Sequence, residues 1–120
     1  MPFLQRPCGA KIYYEVKGTG KIPVLLLAPG GMRSSIPKWE MSPYNPWKEL
    51  SESKFQLIGM DQRFANRSEG YVRPTDNWQT FMEDQISLLD HLKVDRCQIV
   101  GSCIGPSYAF NLLKHYPLRF

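Results

Sequence analysis

The sequence predicts an α/β protein built on a mostly parallel β-sheet. A short, uninterrupted apolar run at residues 24–28 is typical of a strand that is covered on both faces, and residues 55–60 (FQLIGM) predict the next strand. Further along the chain, stretches with a helical spacing of apolar residues alternate with strand-like stretches. Strands that alternate with helices in this way favour parallel pairing through right-handed crossover connections.

The composition indicates one globular domain that spans residues 1–120. A chain of 120 residues suits a single core, and 42% of its residues are hydrophobic. The net charge of +4 arises from Lys and Arg residues that are spread along the chain beside acidic neighbours. Because no basic stripe is present, nucleic acid is not expected as a partner.

The three cysteines predict neither a disulfide framework nor a metal site. Cys8, Cys97 and Cys103 are odd in number, lie far apart, and lack both CxxC spacing and paired histidines. The apolar runs are too short for a signal peptide or a membrane span. We therefore expect a reducing, cytoplasmic setting with no membrane partner, no metal and no cofactor.

The first half of the chain predicts an antiparallel hairpin, a buried strand and a short helix. Residues 11–16 (KIYYEV) are aromatic and β-branched, which suits a strand, and residues 3–6 are expected to pair with it. The buried strand at 24–28 ends at Pro29. A Pro- and Ser-rich loop then leads to a helix that opens at Pro46, since proline is tolerated in a first helical turn.

The second half predicts two longer helices around one further strand. Residues 80–83 (TFME) match a capping box, which predicts a helix start at Thr80, and apolar residues recur at helical spacing as far as Leu92. Residues 98–100 form the core of the next strand, and residues 104–115 continue as a helix.

A cysteine occupies the centre of a G-x-C-x-G pattern between this strand and helix. Gly101 and Gly105 flank Cys103. A strand that turns directly into a helix strains its central residue, and side chains at the flanking positions would collide with the neighbouring chain. The pattern predicts a nucleophile elbow that exposes the Cys103 thiol at the helix N-terminus, where free amides stabilise an anion. A small inert residue in a turn is the alternative.

Attack by a thiolate also requires two backbone amides that stabilise the developing oxyanion. One amide is expected from Ile104, directly after the nucleophile, and the other from the loop that follows an earlier strand. In that loop Gly31 is the first candidate and Met32 the second.

Five ordered segments make the chain resemble the α/β-hydrolase superfamily. They are KIYYEVKGTG, VLLLAPGG, FQLIGMDQR, DQISLLDHL and QIVGSCIG, and the resemblance covers nearly the whole chain. The cysteine elbow is similar to that of dienelactone-hydrolase-like members. The resemblance implies hydrolysis or acyl transfer of small ester-, thioester- or lactone-like molecules through a covalent acyl-enzyme on Cys103.

The loops depart from the family pattern in two places. Pro29 and Gly30 stand where family members often carry His-Gly. Residues 64–66 occupy a loop that usually carries two glycines, and of these only Asn66 tolerates left-handed backbone angles easily.

Some polar and aromatic residues near the predicted site have a structural interpretation. Asp61 is expected to hold the loop that follows it, with Arg63 or Arg67 as its partner, rather than to act as a displaced triad acid. Four large residues suit either an acyl pocket or the core: Trp39, Met41, Tyr44 and Trp47.

Triad chemistry also needs a base and an acid, which the resemblance implies should follow the nucleophile. Only residues 104–120 follow Cys103, and His91 and His115 lie on predicted helices far from the sulfur. We therefore expect the N-terminal portion of a hydrolase, truncated after the helix that follows the elbow. The strand at 98–100 would then be an open sheet edge for self-association or for a complementing chain. A non-catalytic protein that binds a ligand or partner, and an inactive gene fragment, are the alternatives.

Overall fold

The computed structural model describes residues 2–120, which form a five-stranded mixed sheet with helices on both faces. None of the helices in this range is long and apolar enough to cross a bilayer. The strands are β1 (Phe3–Gln5), β2 (Lys11–Lys17), β3 (Ile22–Leu27), β4 (Phe55–Met60) and β5 (Gln98–Gly101). The α-helices are α1 (Pro46–Glu49), α2 (Trp78–His91) and α3 (Gly105–His115), and short 3-10 helices span Gly31–Arg33, Ile36–Met41 and Pro117–Arg119.

The strands lie in the order β1-β2-β4-β3-β5. The pairs β1–β2 and β2–β4 are antiparallel, and β3 pairs in parallel with β4 on one side and with β5 on the other. This arrangement agrees with the predicted N-terminal hairpin and parallel centre. In the register of the parallel strands, Leu26 lies opposite Gly59 and Leu27 opposite Gly101. The loops after β3, β4 and β5 therefore leave the sheet at one common edge, where α/β proteins usually bind ligands.

Two apolar layers cover the sheet, one on each face. Leu25 and Leu27 of β3 face the layer that contains α2 and α3, whereas Val24 and Leu26 face the layer that contains Trp39. Because alternate side chains of the strand enter opposite layers, every position must be apolar. This requirement explains the uninterrupted run in the sequence.

Helix α2 begins earlier than the sequence predicted. Its N-cap is Asn77, whose side chain accepts a 2.9 Å hydrogen bond from the Gln79 backbone N–H. Thr80 is the third helical residue, and its hydroxyl accepts a 3.1 Å bond from the Asn77 backbone N–H. The prediction that Thr80 caps the helix was wrong, because Asn caps a helix as well as Thr does and Thr80 supplies the reciprocal bond of the capping box.

A buried ion pair joins the loop after β4 to helix α2. The Arg63 guanidinium donates two hydrogen bonds, of 2.8 and 2.6 Å, to the two carboxylate oxygens of Asp84. Arg6 donates a third bond of 2.9 Å to the same carboxylate. The hydrogen bonds to Asp84 raise the pKa of Arg63 above its ordinary value. Both side chains are almost wholly buried, so removing one partner leaves the other charge uncompensated in the interior.

We predict that Asp84→Asn lowers the free energy of unfolding by about 3–5 kcal/mol, because Arg63 and Arg6 lose their shared carboxylate. Urea denaturation monitored by tryptophan fluorescence measures this difference. Glu40→Gln is the control, since it breaks an ion pair to Lys48 in which both side chains are about 60% exposed. It should cost much less, and equal losses in the two variants would contradict the prediction.

Candidate active site

Cys103 is the middle one of the three residues between the end of β5 at Gly101 and the start of α3 at Gly105. Its backbone φ is 59°, in the left-handed region that residues other than glycine seldom adopt. The thiol is exposed. The structure thus places Cys103 at a sharp strand-to-helix turn, with its sulfur accessible to solvent at the shared edge of the parallel strands.

The glycines on each side of the turn allow its backbone segments to approach closely. A Cβ atom on Gly105 would lie 2.4 Å from the carbonyl oxygen of Leu27, at the end of β3. A Cβ atom on Gly101 would lie 2.7 Å from the carbonyl carbon of Gly105. The Ser102 backbone N–H also donates a 3.2 Å hydrogen bond to the Leu27 carbonyl. The turn is therefore fastened directly onto the neighbouring strand, and any larger side chain at Gly105 would separate them.

The loop after β3 reverses direction through two glycines with positive φ. Gly30 has a φ of 118° and Gly31 a φ of 57°. Their carbonyls accept hydrogen bonds of 2.9 Å from the Arg33 N–H and 3.1 Å from the Ser34 N–H. These bonds form the short 3-10 helix that begins at Gly31.

The backbone N–H groups of Gly31 and Met32 open this 3-10 helix. The first N–H groups of a helix have no acceptor within the helix. A Cβ atom built on Gly31 would meet nothing within 4 Å, and the Met32 side chain is 59% exposed. The buried Ser34 hydroxyl fixes the loop by donating a 2.6 Å hydrogen bond to the Ala28 carbonyl. The loop is thus anchored to the end of β3 by Ser34, whereas Gly31 and Met32 face open space.

Asp61 has the predicted structural role. Its buried carboxylate accepts a 2.8 Å hydrogen bond from the Ile36 N–H, a 3.2 Å bond from the Arg67 N–H and a 3.1 Å bond from the Asn66 amide. Asp61 thereby ties the loop after β4 to the segment that follows Gly31–Arg33. Of the two predicted partners, Arg67 contacts Asp61 with its side chain at 3.5 Å. Arg63 was the wrong choice, since its guanidinium forms the ion pair with the buried carboxylate of α2 described above.

Neither histidine lies beside Cys103. His91 ends helix α2, and its Nε2 lies 3.3 Å from the Tyr14 hydroxyl. His115 ends helix α3, and its Nε2 lies 3.2 Å from the Gln79 amide nitrogen. Since α3 starts at the elbow, His115 is about 15 Å away along the helix axis at 1.5 Å per residue. Residues 2–120 therefore bring no histidine to the thiol.

The loop after β4 contains two residues other than glycine with left-handed backbone angles. Asn66 has a φ of 46°, and Phe64 has a φ of 73° although it is bulky. A large side chain at such an angle is an outlier that must be held by its surroundings. The Phe64 ring packs edge-on against Phe81 with centroids 6.2 Å apart. The sequence indicated tolerance of this conformation at Asn66 only.

Two of the four large residues near the loop belong to the core. Trp39 is buried and Trp47 packs against the same apolar layer. Met41 is 70% exposed and Tyr44 is 51% exposed. A side-chain contact of 3.4 Å between the hydroxyls of Ser42 and Ser102 places this segment beside the elbow. Sequence spacing alone did not separate the core residues from the exposed ones.

A second exposed thiol was missed by the sequence analysis. Cys8 lies in the turn between β1 and β2, and its sulfur accepts a 3.1 Å hydrogen bond from Arg63. Desolvation raises the pKa of Cys8, but hydrogen bonds from the Ala10 backbone and Arg63, with the charge of Arg63, outweigh it and lower the pKa below the ordinary thiol value. By contrast, burial raises the pKa of Cys97 to about 11. The signal for Cys8 is spatial, because Arg63 is distant in sequence.

The fold is similar to that of solved hydrolase structures. A carboxylesterase from the thaumarchaeon Nitrososphaera gargenis matches with a TM-score of 0.83 at 26% identity, covering 98% of this chain and 42% of its own. A hydrolase from Pseudomonas aeruginosa PA01 matches with a TM-score of 0.79 at 26% identity, over 98% and 42% of the two chains. Both are α/β-hydrolases. The chain has a partial α/β-hydrolase fold.

The same partial α/β-hydrolase fold matches Est816, an N-acyl homoserine lactone degrading enzyme, with a TM-score of 0.70 at 30% identity. That match covers 98% of this chain and 42% of Est816. The chain therefore spans about 42% of the length of each of these three structures. No protein-family model matches the sequence.

We predict that Gly105→Ala lowers the free energy of unfolding by about 1–3 kcal/mol, because the new methyl group must displace the β3 backbone. The sign of this change in the free energy of unfolding is informative, because replacing glycine by alanine inside a helix is otherwise stabilising. Thermal unfolding measures the change, with Ser107→Ala on the exposed surface of the same helix as the control. A Gly105→Ala variant as stable as the original chain would show that the elbow does not depend on this contact.

Proposed function

We propose that Cys103 is the nucleophile of an α/β-hydrolase-type acyl transfer on small ester, thioester or lactone substrates. The observation that carries the proposal is the exposed thiol at a strained turn whose flanking glycine packs against the end of β3. Strained backbone is costly and concentrates at functional sites. The similarity to a carboxylesterase and to a lactone-degrading enzyme supports the substrate class.

The proposed oxyanion hole consists of the backbone N–H groups of Ile104 and Gly31, with Met32 as the alternative to Gly31. Ile104 immediately precedes helix α3, and Gly31 opens the 3-10 helix after β3. Both amides therefore occupy positions without an acceptor inside their own helix. The elbow and the loop meet at Leu27, since Gly105 packs against its carbonyl and the loop begins just after it.

In the proposed step the Cys103 thiolate attacks the carbonyl carbon of the substrate. A carbon–sulfur bond forms, and the carbonyl electron pair moves onto oxygen, where the two amides stabilise it. The tetrahedral intermediate then expels the alcohol, thiol or lactone oxygen, which takes a proton from solvent and leaves an acyl-cysteine. Water completes hydrolysis, and another nucleophile completes acyl transfer. The reaction requires a reduced thiol, so we also propose a reducing, cytoplasmic setting.

Because residues 2–120 place no histidine beside the thiol, we expect the acylation step and the hydrolysis step to differ in rate. The thiolate can attack an ester that has a good leaving group without a general base. Hydrolysis of the acyl-cysteine needs an activated water, and loss of the base costs several powers of ten in rate. We therefore propose acylation by activated esters, followed by slow turnover.

We predict that p-nitrophenyl acetate or an activated thioester acylates Cys103 and adds one acetyl group, as measured by intact-mass spectrometry and peptide mapping. Cys8 is the competing exposed thiol, so the experiment uses a Cys8→Ser background in which Cys103 is present or replaced by alanine. The adduct should form with a burst of p-nitrophenol in the first protein and be absent from the second.

Two outcomes would contradict this assignment. The Cys103→Ala protein would react as fast as its parent, or peptide mapping would place the acetyl group on a lysine. A matched protein with Cys8 present and Cys103→Ala measures what Cys8 alone contributes, which its lowered pKa makes appreciable.

A non-catalytic, partner-binding function is the second candidate, and the exposed flank of the sheet favours it. Among the described residues, β5 pairs only with β3, so its outer backbone groups form an open edge. Helix α3, which packs on β5, carries an exposed apolar row at Pro106, Phe110 and Leu113. Phe110 is 71% and Leu113 is 42% exposed. An open edge beside an apolar row is typical of an interaction surface.

We predict that this flank joins a second copy of the chain. Sedimentation velocity should show a concentration-dependent dimer, and the double variant Phe110→Glu/Leu113→Glu should remain monomeric because each new charge would lie in the contact. Tyr71→Glu is the control, because Tyr71 is exposed and lies far from this flank. Its loop is joined to β2, on the opposite side of the sheet from β5, by the bridge between Lys11 and Glu69. A chain that is monomeric at every concentration would exclude this partner.

A further inference from the structure

We propose that a cleft beside the Gly31 loop binds a short acyl chain or one aryl ring of the substrate, and that Phe64 sets its length. This inference rests on the function proposed above and names the part of the substrate that the site selects. The cleft has a volume of about 290 Å³. Its walls are formed by Met32, Phe64, Val72, Trp78 and Phe81.

The exposed apolar side chains around this cleft indicate a ligand. Met32 is 59%, Val72 76% and Trp78 49% exposed, although each is large and apolar. Single exposed apolar residues are common, but several grouped around one concave surface mark a binding site. The lining contains two polar residues, Asp76 and Asn77, and both already have hydrogen-bond partners in Arg73 and in the start of α2.

The size and position of the cleft favour the apolar arm of a small substrate. A cavity of roughly 150 Å³ lined by apolar side chains holds benzene, so this cleft has room for one short acyl chain or one substituted ring. A helix or strand of a partner is too wide for that volume. Met32 forms one wall and directly follows Gly31 in the chain, which connects the cleft to the proposed oxyanion hole. Trp78 also packs against Tyr108 of the helix that leaves the elbow, with centroids 5.4 Å apart.

Phe64 lines this cleft and two others. The same residue lines a neighbouring cleft of about 510 Å³ that contains Arg33 and Lys38, and another of about 730 Å³ that contains Cys8. The ring therefore stands where three concave surfaces meet. Its left-handed backbone, with a φ of 73°, directs a bulky side chain from a position that glycine would fit without strain. Removing the ring should open the acyl cleft into its neighbours.

The test measures binding of unreactive amides, which cannot acylate a cysteine under these conditions. Butanamide, hexanamide and decanamide are titrated into the chain while tryptophan fluorescence and heat of binding are recorded. We expect saturable binding of hexanamide that changes the fluorescence, and we expect Trp78→Phe to abolish the fluorescence change and to weaken the binding measured by heat. Binding should persist in Cys103→Ala, since it precedes chemistry.

Phe64→Gly is the decisive variant because it removes the ring and also suits the local backbone. We expect its affinity for decanamide, relative to hexanamide, to rise by roughly tenfold, as extra methylene groups enter the joined clefts. Lys93→Gly is the matched control, since Lys93 has a φ of 59° and lines a different cleft. It relieves the same kind of strain and should leave the order of the amides unchanged.

Three results would overturn the proposal. The amides would fail to bind saturably, Phe64→Gly would keep the original chain-length order, or the Trp78 signal would depend on protein concentration alone, which would mean that a second copy covers the cleft. Failure of the proposed reaction is distinguishable, because amide binding without acylation of Cys103 would contradict only the nucleophile assignment. Acylation without amide binding would contradict only the cleft.

Discussion

The close approach of Gly105 to the carbonyl of Leu27 is the constraint on which the candidate site depends. It fixes the start of α3 against the end of β3, and a Cβ atom there would lie 2.4 Å from the oxygen. Parallel pairing of β3 with β5 brings Leu27 opposite Gly101, so the same strand register sets the entrance of the turn. Cys103 lies between these two fixed glycines, Gly101 and Gly105, in an exposed position. The position of the thiol follows from the packing of the sheet and not from contacts made by the thiol itself.

A second constraint holds the loops that surround this turn. The buried Asp61 carboxylate binds the Ile36 N–H on one side and the Arg67 N–H on the other, which joins the segment after the Gly31 turn to the loop after β4. The Arg63–Asp84 pair then joins that loop to α2. Two buried carboxylates therefore connect these two loops and helix α2, in addition to the backbone hydrogen bond from the Gln62 N–H to the Ser34 carbonyl. These contacts allow Phe64 to keep a strained backbone, because they fix its neighbours on both sides.

The local part of this architecture could be predicted from sequence, and the long-range part could not. The apolar run of β3 and the alternation of elements predict the parallel centre of the sheet, because burial on both faces leaves a direct mark on composition. The G-x-C-x-G spacing likewise predicts a turn at Cys103, since glycine is required by local sterics. The pairing of Arg63 with Asp84, and the contact of Arg63 with Cys8, depend on which loops meet in space. The start of α2 was misplaced for a related reason, because Asn77 and Thr80 share one reciprocal cap and either residue type can occupy the first position.

The three thiols illustrate why exposure and backbone together favour Cys103 over its alternatives. Cys97 is buried, which raises its pKa to about 11 and keeps it protonated. Cys8 is exposed and has a lowered pKa, but it lies in the hairpin turn between β1 and β2 and contacts Arg63 of the loop after β4, not the turn between β5 and α3. Cys103 alone combines an exposed sulfur with a helix N-terminus and a neighbouring loop that opens with free amides. We therefore expect the two exposed thiols to differ in the reagents that they prefer. A reagent that needs only a thiolate should find Cys8, whereas a carbonyl that needs its oxygen stabilised should find Cys103.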